Sequence, residues 1–127
     1  MRLIKIDPQT KTVEFVDLDG KLDSFRQAIG CNFIDVCARQ DNLDALTIDD
    51  DALELDPQSA AFTFNGFGPL HGIAIVSGVD AEGDTQEPAM TREEVEETVT
   101  WLGDIHTEPG FVWIGFTDVS DKNLTTV

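Results

Sequence analysis

Hydrophobic and polar positions along the chain fall into short segments whose period switches between two and three to four. RLIKID and TVEFVDLD alternate in the manner of strands and are separated by PQTK, a turn signal, which predicts a hairpin from about residue 2 to 18. KLDSFRQAIG changes period: Leu22, Phe25 and Ile29 share one helical face and Gly30 stands as the C-terminal stop, predicting a short helix near 21–29. CNFIDVCA is apolar on both parities, with Phe33 and Cys37 on one face and Ile34, Val36 and Ala38 on the other. That pattern predicts a central strand covered on both sides, with Asp35 at a bend or hydrogen-bonded.

In LTIDDDALELD the apolar set changes parity, Leu46 and Ile48 being even and Leu53 and Leu55 odd, so one continuous strand would turn its apolar face outward midway. Asp49, Asp50 and Asp51 occupy the break, predicting a tight turn or bulge between two short strands. PQSAAFTFNGFGPLHG reads as an irregular crossover holding Phe62, Phe64 and Phe67 against the core. HGIAIVSGVD is the clearest buried strand; DAEGDTQEP is an acidic loop. MTREEVEETVTWLG predicts a helix over 91–102, with Thr91 and Glu94 spaced as a capping box, Val95, Val99 and Leu102 as its buried stripe and Gly103 as its end. GFVWIGF reads as a last strand. These elements predict one α+β domain over 1–127, with a mostly antiparallel sheet, an N-terminal hairpin and two short helices.

Composition changes the picture at one point, the charge. The 127 residues carry a formal net charge of −17, distributed unevenly. Residues 1–39 hold six acids and six bases, whereas from residue 40 onward nineteen acids face only Arg92 and Lys122. With 41% apolar residues the chain still has the material for a packed interior, so this charge does not imply disorder. No long apolar run precedes or crosses the pattern, so neither a signal peptide nor a membrane span is expected, and a cytoplasmic setting is the default. In a straight strand Cys31 and Cys37 stand roughly 20 Å apart. Bridged Cα atoms lie within about 7 Å, so both cysteines are read as small buried apolar residues.

Catalytic, metal and phosphate chemistry find little support. DLDGKLD at 17–23 and DAEGDTQE at 80–87 resemble calcium loops. The first lacks the acid at its twelfth position and the second has its glycine one place early, so both read as acidic turns. Asp104 and His106 would be half of an acid–base pair or zinc shell, but one His does not make a site and nothing places His71 beside them, so a surface loop is expected. GFGPLHG precedes a strand and has no lysine, unlike a phosphate cradle. Neither a cofactor nor an enzymatic activity is expected.

The order FRQAIGCNFIDV, LTIDDDALEL, a crossover carrying Asn65, HGIAIVSG, an acidic loop and MTREEVEETV resembles a family of small uncharacterised proteins encoded by bacteriophages and plasmids, over roughly residues 22–102. The resemblance implies a mobile element in a bacterial cell and carries no assigned activity. Charge adds a reading of its own. A globule of this length has a diameter of about 36 Å, and duplex DNA of that length carries roughly 21 phosphates. The expected function is therefore nucleic-acid mimicry: binding and inhibiting a basic, DNA-binding host protein of the restriction or RNA-guided type, with no direct binding of nucleic acid or membrane. The acids expected to form the surface are Asp49, Asp50, Asp51, Asp80, Glu82, Asp84, Glu93, Glu94 and Glu97. The alternative is a small interaction or assembly module whose acidity serves solubility or adaptation to high salt.

Overall fold

The computed structural model describes residues 1–39 and 44–108. Strands β1 (Arg2–Asp7) and β2 (Thr12–Asp17) form the expected hairpin, in register from Arg2↔Asp17 to Asp7↔Thr12. Helix α1 (Leu22–Ile29) ends at Gly30, whose φ of 82° places it in the left-handed region that glycine adopts without steric penalty. Strands β3 (Ile34–Arg39) and β4 (Ala45–Asp49) form a second antiparallel pair, and β7 (Ala74–Val79) lies between β1 and β4. The main sheet therefore runs β2-β1-β7-β4-β3, with the two-residue β8 (Thr85–Gln86) added to β7.

Side-chain alternation divides the core into two layers. Leu3 and Ile75 face α1 and pack with Phe25 and Ile29. Ile4, Ile6, Leu46, Ile48 and Val76 face the opposite way, against a three-stranded sheet and helix α2 (Arg92–Thr98), which contributes Val95. That second sheet, β6-β5-β9, is built from β5 (Ala61–Phe64), β6 (Phe67–His71) and β9 (Val99–Gly103). Phe62, Phe64, Phe67 and Leu70 fill the space between the sheets. Trp101 lies tilted against Phe62 with ring centroids 6.3 Å apart. Both sheets are wholly antiparallel, so the fold is the α+β class expected.

Several local expectations are corrected. CNFIDVCA supplies the edge strand, not the centre: β7 has only apolar and small residues and takes the doubly covered position, while Phe33 and Val36 remain 59% and 48% exposed. Asp35 is an exposed edge residue. Leu22 is likewise exposed, so α1 buries Phe25 and Ile29 alone. After the break at Asp49 to Asp51 comes a 3₁₀ turn, Ala52–Glu54, and not a strand; Leu55 points outward. The supposed crossover is a hairpin, turned by Asn65 and Gly66 with φ of 51° and 81°, the conformation a two-residue hairpin loop requires.

Helix α2 stops at Thr98, four residues short of the expected end. Its capping box is present, Thr91 and Glu94 each accepting the other's backbone N–H. Beyond it, Val99, Thr100 and Trp101 are β-branched or aromatic and pair with β5, so tertiary pairing overrides the helical period. The Thr98 hydroxyl donates to the Val95 carbonyl at the point of exit. GFVWIGF lies outside the described residues, among which no helix is long and apolar enough to cross a membrane.

Candidate functional site

The acidic run folds back on itself. Oδ1 of Asp49 accepts the Asp51 N–H at 2.8 Å, and the Asp51 carbonyl accepts the Glu54 N–H at 2.9 Å. The Asp50 N–H donates to the Phe33 carbonyl at 3.0 Å, tying this turn to the start of β3. Aspartate suits the position because its short carboxylate closes such turns on its own backbone. Asp50 and Asp51 are thereby held exposed, with Asp49, just before them, half-buried.

Two hollows flank the turn and share Asp49, Ala52 and His71. One, of about 250 Å³, brings Asp35, Asp50 and Glu54 to its rim; the other, of about 340 Å³, brings Asp7. Among the described residues none of Asp7, Asp35, Asp49, Asp50, Asp51 or Glu54 takes part in an ion pair. The ion pairs among the described residues are Arg26–Asp23, Arg92 with Glu93 and Glu96, and His106–Glu108.

His71 forms the floor of both hollows and is buried. Its Nδ1 lies 2.7 Å from the Ser59 carbonyl, which has no proton to give, so Nδ1 donates. In the neutral ring Nε2 then accepts the Thr107 hydroxyl, 2.9 Å away. The Gln58 side chain grips the backbone of Thr107 from both sides, at 2.8 Å and 2.6 Å. His71 is therefore a structural clasp on the segment after β9. His106 is exposed and paired with Glu108 at 2.7 Å, and Asp104 makes no hydrogen bond to it.

The remaining expected residues lie elsewhere. Asp80 organises the turn between β7 and β8, its Oδ1 accepting the N–H groups of Glu82 and Asp84, both at 2.9 Å. Glu94 is engaged in the capping box, Glu93 pairs with Arg92 at 3.5 Å, and Glu97 is exposed. Extending the register from Thr47↔Ile75 sets Asp49 beside Ile73. Asp80 is seven residues further along the strand direction, roughly 23 Å away. The structure thus joins Asp49, Asp50 and Asp51 to Asp7, Asp35 and Glu54, and places Asp80, Glu82 and Asp84 toward the other end of the sheet. Asp7, Asp35, Glu54 and His71 were not among the expected site residues. Only the strand order brings them to one end, and that order is not written in local periodicity.

The calcium-like stretches are self-closed in the same manner. Oδ1 of Asp19 accepts the Lys21 N–H at 2.8 Å. That bond, followed by one from Ser24, holds the Asp19 carboxyl below its ordinary range. Among the described residues no group of three or more His, Cys, Asp or Glu is disposed to hold a metal ion. Both cysteines are free. Burial, then the nearby Asp35 carboxylate, pushes the Cys37 thiol up to about 12; burial and Asp49 raise that of the half-exposed Cys31.

No curated protein and no solved structure matches the chain. A family profile does, and it begins at Met1, so the N-terminal hairpin that the sequence reading left outside the resemblance lies within the family. The match extends over residues 1–100, and the chain belongs to the family described as Domain of unknown function (DUF3846).

Proposed function

We propose that this is a non-enzymatic acidic protein of a mobile element, whose carboxylate-rich end engages a basic, nucleic-acid-binding host protein in place of nucleic acid. The supporting observation is the group of six carboxylates around the Asp49 turn, drawn from three separate segments and, among the described residues, without an ion-pairing base. Partner cations brought to such a surface displace the counterions gathered around its carboxylates, so binding falls with salt as DNA binding does. The mobile-element setting, implied by the sequence resemblance, makes restriction enzymes, RNA-guided complexes and transcription regulators the natural targets.

The test is capture from bacterial lysate at low and high salt, followed by elution with duplex DNA. Proteins that bind at low salt, are released by duplex DNA and are retained less by the Asp49, Asp50 and Asp51→Asn variant support mimicry. Capture that neither salt nor DNA disturbs overturns it.

A second reading draws on the separation of Asp49 from Asp80 along the sheet. Acids at both ends suit a small interaction module kept soluble, or adapted to salt, by charge all round. Under that reading duplex DNA does not compete for whatever the protein binds.

A further inference from the structure

The two edges of the main sheet differ. At the β2 edge, Arg92 reaches across from α2 and donates to the Val13 carbonyl at 2.8 Å, and Arg2 stacks 4.0 Å from the ring centroid of Phe15. Among the described residues strand β3, at the other edge, pairs with β4 alone. Phe33 and Val36 are among the most exposed large apolar side chains. Open strand edges bearing apolar side chains are templates for a further strand.

From this edge we infer that β3 accepts an extended segment of the basic partner as an added strand, an inference that rests on the function proposed above. Charge identifies the occupant. Asp35 stands on the edge itself, with Asp49, Asp50 and Glu54 around the adjoining hollow. A second copy of the chain paired about Asp35 would set that residue against like charge, which is how natural edges resist self-pairing. A cationic strand converts the same residue into an attraction.

The register narrows the chemistry further. Asp35 pairs with Ile48 and shares its face, while Val36 pairs with Thr47 and faces the α1 side. Residues on an added strand share faces with those they oppose. The fitting segment therefore alternates basic and apolar residues, its bases toward Asp35 and its apolar residues toward Val36. The register shift between Val36 and Ala38 interrupts the regular edge, so the contact centres on residues 33–36.

The experiment uses the full chain and three synthetic peptides: alternating Lys and Val, a permuted peptide of the same composition with its Lys grouped, and the alternating peptide N-methylated on every second residue. Strand addition predicts slower amide exchange at residues 33–36 with the alternating peptide. It also predicts affinity about tenfold weaker for the methylated form, which loses two backbone hydrogen bonds, and weaker binding of the permuted form, whose Lys and Val no longer match the two faces of the edge. Val36→Lys, an exposed substitution, should lower affinity for the alternating peptide. Equal affinity of all three peptides overturns strand addition and leaves the charge-based function standing. No peptide binding, alongside salt-sensitive and DNA-displaceable capture from lysate, does the same. Retained peptide discrimination with capture insensitive to salt and DNA upholds the strand site and removes mimicry.

Discussion

The carboxylate of Asp44 accepts the backbone N–H of Ala89 at 2.8 Å, across 45 residues of sequence, and that of Met90 at the same distance. Asp44 is 1% exposed, so these bonds form in a water-poor setting where an unmade hydrogen bond carries its full desolvation cost. They fix the chain just ahead of α2 to the start of β4. Asp44→Ala should lower unfolding free energy by about 3 kcal/mol in urea titration. A change below about 1 kcal/mol would show that these two bonds add little to the anchoring of α2 by Val95 and Arg92.

The Asp49 turn allows charge to be removed with little change of shape. Asn also closes such turns, so the Asp49, Asp50 and Asp51→Asn variant should remain folded while losing affinity for a basic partner and showing a shallower dependence of log affinity on log salt. Asp7 lies beside Asp49 and is unsuited as a control. Asp17, Glu82 and Asp84, all exposed, serve instead when changed to their amides. Equal weakening by both triple variants would make the charge generic.

The clasp at Thr107 gives a stability prediction. Thr107→Val keeps the shape but leaves the buried His71 Nε2 without its donor. The expected loss is about 1–2 kcal/mol in thermal or urea unfolding. No loss would mean that the imidazole finds water or another donor there.

Thiol chemistry separates the cysteines by burial. Cys37, held protonated far into the alkaline range, should resist iodoacetamide at pH 8, while Cys31 reacts slowly and Cys37 follows only on denaturation. For Cys37 the folded thiol sits above its ordinary value of 9.0, so the native state binds the proton more tightly than the unfolded chain. The associated stability is complete below pH 9 and is lost as pH rises toward about 12. Alkylation of Cys37 as fast as Cys31 in the folded protein would contradict the burial.

Capping offers the smallest effect. Thr91→Ala removes one half of the capping box and should cost about 1 kcal/mol. Thr91→Ser should restore most of it.

Sequence periodicity disclosed the elements more fully than their arrangement. The first hairpin, α1, the Asp49 break, β7 and the start of α2 are local, set by alternation, a glycine stop and a capping box. The end of α2 was obscured because Val95, Val99 and Leu102 keep helical spacing while Val99, Thr100 and Trp101 also favour a strand, and β5 decides between them. Phe64-Asn65-Gly66-Phe67 did carry a hairpin signal that the surrounding glycines and prolines masked. The edge position of β3 was hidden for a different reason. Apolar residues on both parities mark a strand without revealing which neighbour covers it, and the competitor, β7, is also apolar on both. The site followed suit: the aspartate triplet was legible as a turn, but its company with Asp7 and Asp35 depends on strand order.

The central place of β7 also has a kinetic consequence. Its two long partners, β1 and β4, precede it in the chain, and each has its own hairpin mate close in sequence. Two hairpins can therefore form early and locally, while the contacts that unite them await a strand emerging some 25 residues after β4 ends. During synthesis, the inner edges of β1 and β4 stay open until residue 79 has left the ribosome, and the shared negative charge of the later half helps keep such half-built sheets apart.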